Sequence, residues 1–195
     1  MSEHYSTPKP TSEERFSSYS YSVAGVELSI TTVSGVFGKE GLDRGSQVLI
    51  EYCDLSSAHS LLDLGCGTGV IGIGLAHRFG LEVTFSDVNE RAVRVARENA
   101  RANGVRGRFV VSDGFSNIKE QFDAIALNPP QSAGKAVCER LISDAHDHLT
   151  NGGRFLLVAR HKKGGKSLSE HMESVFGNVS IVTRKSGYRV YEAVR

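Results

Sequence analysis

Near the amino terminus, apolar and polar residues alternate by twos. "YSYSVAGVELSITTV", from Tyr19 to Val33, reverses about Gly25 and reads as a hairpin. The stretch before it, residues 1–18, is polar and rich in Pro and Ser, and reads as a flexible tail. "GVFGKEGLDRG" is a Gly-rich loop, after which Asp43 or Ser46 could cap a helix through "SQVLIEYCD". From Ser60 onward, short apolar runs alternate with amphipathic ones. "SLLDL", "EVTFSD", "GRFVVSD", "FDAIALN" and "GRFLLVAR" read as strands. "GVIGIGLAHRF", "NERAVRVARENARAN", "KAVCERLISDAHDHL" and "KSLSEHMESVF" read as helices, the second opened by Asn89 and the third closed by Asn151-Gly152-Gly153. "VSIVTRK" and "YRVYEAV" are joined by so few residues that they must pair antiparallel. Strand-helix alternation predicts an α/β fold, a mostly parallel sheet with helices on both faces. One domain over 19–195 follows, with a hairpin and loop at 19–45 and a core at 60–195.

In such sheets, ligands sit beyond the carboxyl ends of the strands. After the first core strand comes "DLGCGTG", Asp63 to Gly69. Gly65, Gly67 and Gly69 allow a tight turn and close approach of a ligand to the main chain, with free helix N–H groups following. A dinucleotide fingerprint would need its third glycine at Val70. The G-x-G-x-G spacing, with an acid two residues ahead, favours a cofactor with a cationic centre and an amino acid tail over a pyrophosphate. Asp87 ends the second strand and follows Asp63 at close to the spacing, about 20, of a carboxylate that binds ribose hydroxyls. Asp113, or a backbone group beside it, could read an adenine amino group.

The fourth strand ends at Asn128-Pro129-Pro130-Gln131. A residue before proline is pushed into extended conformation, which here applies to both Asn128 and Pro129. The result is a stiff corner with two fixed acceptors, the Asn128 side-chain oxygen and the Pro129 carbonyl. Two acceptors suit the two hydrogens of a planar amino group and turn its nitrogen toward an electrophile, so that orientation supplies much of the rate.

Composition narrows the partners only a little. Hydrophobic residues are 39% and charged ones 23% of 195, as in an ordinary globule. Lys+Arg 23 against Asp+Glu 22 leaves nucleic-acid binding to local patches. Three cysteines, Cys53, Cys66 and Cys138, form no CxxC pair, which argues against a disulfide framework or a zinc site and fits a reducing cytoplasm. No run is long enough to span a membrane, and no signal-peptide core is present. His77, His146, His148 and His171 fall on helices without metal spacing, and His161 lies beside lysines. Arg91, Arg94, Arg97 and Arg101 form a helical stripe that reads as a solvated face.

Taken together, the four strand-end loops resemble class I S-adenosylmethionine-dependent methyltransferases from about Gly35 to Arg195. "NPPQ" looks like the Asn/Asp-Pro-Pro-aromatic motif of enzymes that methylate planar nitrogens. "GVFGKEGLDRGSQVLI", "FDAIALNPP" and "GYRVYEAV" resemble the small-subunit ribosomal RNA guanine-N2 methyltransferases and the short archaeal-type proteins similar to them. The resemblance implies a Rossmann-like, seven-stranded sheet with a reversed last strand, and S-adenosyl-L-methionine as cofactor. It makes Asn128, Pro129 and Pro130 the catalytic corner. Asp63, Gly65, Cys66, Gly67, Gly69, Asp87, Val88, Asp113 and Asn128 become the cofactor-binding set. Bacterial members carry an additional methyltransferase-like domain in front, where this chain has a short segment. Gln131 stands where many relatives place a stacking aromatic.

RNA, with small-subunit ribosomal RNA or its particle the expected substrate, needs a basic surface. Lys162, Lys163 and Lys166 follow the fifth core strand, Lys135 follows the Pro-Pro corner, and Lys39 and Arg44 precede the glycine loop. With Gln131, these are the candidate RNA contacts, converging on one rim. No metal and no membrane partner is expected. Two other functions share these features: methylation of a protein glutamine amide, and a non-catalytic RNA-binding or assembly module. An NAD oxidoreductase is disfavoured by Val70.

Overall fold

The computed structural model describes residues 8–38, 41–129 and 134–195. Lys39, Pro130 and Gln131 lie outside the described residues. A hairpin of Phe16–Val23 (β1) and Val26–Val33 (β2) turns through Ala24 and Gly25, both at positive φ. Such a turn matches the twist of the strands it joins. Then come Arg44–Tyr52 (α1), Ser60–Leu64 (β3), Val70–Phe79 (α2), Glu82–Asp87 (β4), Glu90–Ala102 (α3), Gly107–Val111 (β5), Phe122–Leu127 (β6), Lys135–Asp147 (α4), Leu149–Arg160 (β7), Lys166–Phe176 (α5), Ser180–Lys185 (β8) and Tyr188–Val194 (β9).

The main sheet has seven strands in the order β5-β4-β3-β6-β7-β9-β8. Only β9 runs against its neighbours. The order reverses between β3 and β6, whose helices α2 and α4 leave to opposite faces and open a crevice there. Successive strand residues enter opposite cores: Leu61, Ala124 and Val158 pack with α1 and α2, whereas Leu62, Ile125 and Leu157 pack with α4 and α5. Burial on both faces explains the unbroken apolar runs of these strands.

The hairpin docks on α3 through two asparagines four residues apart, Asn99 within the helix and Asn103 at its C-cap. Asn99 accepts from the Thr31 N–H at 2.9 Å and donates to the Thr31 carbonyl at 2.8 Å. Asn103 does the same with Ser29, at 3.0 and 2.8 Å.

Three local expectations change. Residues 8–18 are not a free tail as far as the structure describes them. Residues 16–18 begin β1, and the segment before them is tied to α3. The tie is Arg91, so the α3 arginines are not a uniformly solvated stripe. Arg91 is 8% exposed, and its guanidinium donates to the Pro10, Ser12 and Ser34 carbonyls at 2.7–3.2 Å. Guanidinium is all donor, and a proline-rich segment is rich in unpaired carbonyls, so the two are complementary. Third, α4 ends at Asp147 with His148 as its cap, and β7 begins at Leu149. Asn151-Gly152-Gly153 therefore bends a strand, with Gly152 at φ 79°, rather than closing a helix.

Candidate active site

At the crevice lies a cleft of about 750 Å³. The glycine turn after β3 forms its floor. Gly65 and Gly67 adopt φ of 69° and 54°, which only glycine holds at little cost, and both line the cleft. The turn is fixed from the next strand: Gly67 N–H donates to Asp87 Oδ2 at 2.9 Å, and Cys66 N–H to the Ser86 carbonyl at 2.9 Å. The other Asp87 oxygen accepts from Asn89 N–H at 2.9 Å, while Asn89 caps α3. Asp87 is thus a carboxylate aimed by two backbone donors, with lone pairs left for a ligand. Burial pushes its pKa up, against the pull of the Asn89, Gly67 and Val88 N–H groups.

Not every acid of the motif reaches the cleft. Asp63 is 1% exposed and accepts from Gly72 N–H at 2.9 Å, which seats α2 on the sheet. Its carboxyl is pushed up to about 7, chiefly by burial, with Asp87 adding to the rise. Gly72 has to be glycine, because a Cβ there would lie 2.4 Å from the Phe85 ring. Cys66 is buried with its thiol pKa raised well above the usual range by burial. Gly69 caps α2 behind the loop. Asp63, Cys66 and Gly69 shape the turn, whereas Gly65, Gly67, Asp87, Val88, Asp113 and Asn128 face the space. The Asp113 carboxylate is engaged by Arg140 on α4 at 2.6 Å, which leaves the backbone at Asp113–Gly114 as the nearer ligand surface. Val36 and Phe37 close one side of the cleft, Val137 and Leu141 the other.

Asn128 stands where the cleft meets a second cavity of about 230 Å³, lined also by Pro129, Lys135, Arg160, Lys163 and Tyr188. Its Nδ2 donates to Ser46 Oγ at 3.0 Å and to the Asp43 oxygens at 3.2 and 3.4 Å. A carboxylate only accepts, so the amide cannot be turned the other way without facing oxygen to oxygen. Oδ1 is therefore left without a partner among the described residues. Asp43 also caps α1, taking Gly45 N–H at 2.9 Å. Its capping role was legible in the sequence, but its hold on Asn128 was not, since the two lie far apart in the chain.

The expected rim partly assembles. Lys135 opens α4 and pairs with Glu139; Lys166 opens α5 and pairs with Glu170; Lys162 and Lys163 are exposed between β7 and α5. Arg44 opens α1 and bonds Gln47 Oε1 and Ser186 Oγ. A depression of about 870 Å³ at the opposite end of the sheet, beside His77, Glu82 and Arg106, has no such glycine turn. Among the described residues no cluster of three or more metal-ligating side chains forms, and no helix is long and apolar enough to cross a membrane.

Known proteins are similar to this chain in sequence and in fold. The chain is 37% identical to the protein YbxB of Bacillus subtilis (strain 168), across 99% of this chain and 98% of that one. It is 34% identical to the ribosomal RNA small subunit methyltransferase C of Escherichia coli (strain K12 / DH10B), across 89% of this chain and 51% of the relative. The chain thus spans about half the length of such relatives. In three dimensions it is similar to the Thermus thermophilus 16S rRNA N2 G1207 methyltransferase solved with AdoMet and guanosine. The TM-score is 0.82 at 26% identity, covering 95% of this chain and 52% of that one. The family model described as the methyltransferase small domain matches residues 27–192, nearly all of the fold just built, and the chain belongs to that family.

Proposed function

We propose that the chain methylates the exocyclic N2 amino group of guanine in small-subunit ribosomal RNA, in the cytoplasm, with S-adenosyl-L-methionine as donor. One observation carries the reading: Asp43 and Ser46 hold the Asn128 amide so that Oδ1, at the junction of the two cavities, has no partner among the described residues. With the Pro129 carbonyl it offers two acceptors to the two hydrogens of an amino group. The likeness to a solved enzyme with AdoMet and guanosine supports the same pair of ligands here.

The cleft fits the donor. Asp87 would take the ribose hydroxyls, the Gly65–Gly67 turn the methionine portion, and Val88, Leu141 and the Asp113–Gly114 backbone the adenine. When bound, the donor would supply a methyl on a sulfonium; the amino nitrogen would form the new N–C bond as the S–C bond breaks, and the surplus proton, held by the Asn128 and Pro129 acceptors during transfer, would pass to solvent as the product leaves. Asn128 and Pro129 orient the amino group so that its lone pair faces the large cleft, an alignment that can replace a strong base. Val36, Phe37, Val137 and Leu141 give the cleft apolar walls beside the reacting centre.

The test is incubation with methyl-labelled S-adenosylmethionine and three substrates: naked small-subunit RNA, the assembled particle, and a glutamine-bearing peptide. Digestion and mass spectrometry should give N2-methylguanosine. Methylglutamine would move the reading to the protein-amide class. Donor binding without transfer to any of the three would leave an assembly module.

A further inference from the structure

The tip formed by β7, β8 and β9 carries a concentration of positive charge. Arg160 to Ser169 contains Arg160, His161, Lys162, Lys163 and Lys166 and no acid; Thr183 to Val190 contains Arg184, Lys185 and Arg189 and no acid. The fold brings the two stretches together. His161 N–H donates to the Gly187 carbonyl at 3.3 Å, and Arg44 Nε reaches Ser186 Oγ at 3.2 Å.

Arg184 and Arg189 are direct cross-strand partners, so their side chains share one face. His161, whose Nδ1 is 2.9 Å from the Tyr191 hydroxyl, feels Arg189, Lys166, Arg184 and Lys162 at once. Partial burial and those four charges hold its pKa below the ordinary value. Of these cations only Lys166 has a carboxylate partner among the described residues, Glu170 at 3.7 Å.

Like charges set directly opposite each other weaken a strand pair. Cations on an edge strand discourage pairing with another chain, which accounts for Arg184 and Lys185 on β8. It does not account for Arg189, which sits on β9 between β7 and β8. A bound anion would offset the repulsion. The patch also runs into the site: Arg160 and Lys163 line the smaller cavity with Asn128, and the Arg160 guanidinium lies 5.0 Å from the centre of the Tyr188 ring.

We infer that this tip grips the phosphates of the RNA strand adjoining the target nucleotide, with Arg184 and Arg189 as its far anchor. The inference rests on the guanine reading above. The strand leaves the Asn128 corner past Arg160 and Lys163 and lays its phosphates against Lys162, Lys166, Arg184 and Arg189. Guanidinium groups match phosphate oxygens two at a time, which suits the pair to an anchoring role.

The experiment is fluorescence anisotropy of a short single-stranded RNA with the full chain across a salt series. In the Arg184→Gln, Arg189→Gln double variant, the slope of log affinity against log salt should flatten by roughly 1.4, two contacts at about 0.7 each. Donor affinity by calorimetry should not change. The Arg184→Lys, Arg189→Lys variant should restore the slope. An Arg101→Gln, Arg106→Gln control, away from this tip, should keep it. A parental slope in the Gln variant, or equal flattening in the control, overturns the inference. So does tighter binding of polyglutamate than of RNA, which would assign the tip to an acidic protein. Should the Gln variant not fold, ultraviolet crosslinking of the unaltered protein decides: crosslinked peptides must include the β8–β9 hairpin, and their absence overturns the inference. A parent that binds RNA but does not methylate it would defeat the guanine reading instead, leaving the grip standing.

Discussion

Asparagine in place of Asp43 isolates what the carboxylate does for Asn128. Asparagine caps a helix about as well as aspartate. Its oxygen can keep the Gly45 N–H, so α1 should hold. Its amide then faces the Asn128 amide, donor against donor. A hydrogen bond to a charged acceptor contributes about 1.5–3 kcal/mol and a neutral one about 0.5–1.5. Losing the charged one with no neutral bond in its place therefore costs about 1.5–3 kcal/mol of orientation, roughly a ten- to hundredfold fall in rate at about 1.4 kcal/mol per decade. If Asn128 turns over to satisfy the new amide, it presents N–H groups to the substrate amino group, and the fall reaches roughly a hundredfold. The assay is single-turnover methyl transfer at saturating donor, with donor affinity from calorimetry and a thermal midpoint alongside. Asp43→Asn should lose rate while keeping affinity and midpoint. Asp43→Ala should lose rate and, with the cap gone, about 1 kcal/mol of stability, or about 2–4 °C in a chain of this size. Full turnover in the Asn variant, or a loss that merely tracks donor affinity, would refute the orienting role.

Asp87→Ala should weaken donor binding by about 1.5–3 kcal/mol, roughly ten- to a hundredfold, and unchanged calorimetry would remove it from the ribose role. Asp63 predicts a pH effect. Its folded carboxyl is raised from 3.8 to about 7, so between those values the native state holds a proton that the unfolded chain releases. Its contribution to stability therefore falls as pH rises through that window, by up to about 1.4 kcal/mol per pH unit. Asp63→Asn keeps an acceptor for Gly72 and carries no charge. Urea midpoints should favour the variant more at pH 8 than at pH 5, and an equal gap at both would contradict the assignment.

Order and type of elements were legible because strands buried on both faces cannot hide their apolar runs. The Gly65–Gly67 turn and Asp87 were legible for a local reason: each lies at the end of its own strand. What the sequence could not show was contact across the fold. Asp63 reads like a ligand until α2 is seen to claim its oxygen, and Asp113 until Arg140 does. Arg91 looks like its neighbours on the helix stripe, and only the carbonyls of residues 10–12 and Ser34 set it apart. Arg184 and Arg189 sit five positions apart, and only the β8–β9 register sets them side by side.

The asparagine pair on α3 bears on how the hairpin finds its place. A side-chain amide is chemically a peptide group, so Asn99 and Asn103 present β2 with a short imitation of a third strand. A two-stranded ribbon alone is marginal in water and free to slip. Here a slip of β2 by one residue would turn the Ser29 and Thr31 amides away from α3 and carry Leu28 and Ile30 out of the core together. Polar and apolar error signals coincide, so the helix serves as a gauge that admits one alignment of the strand.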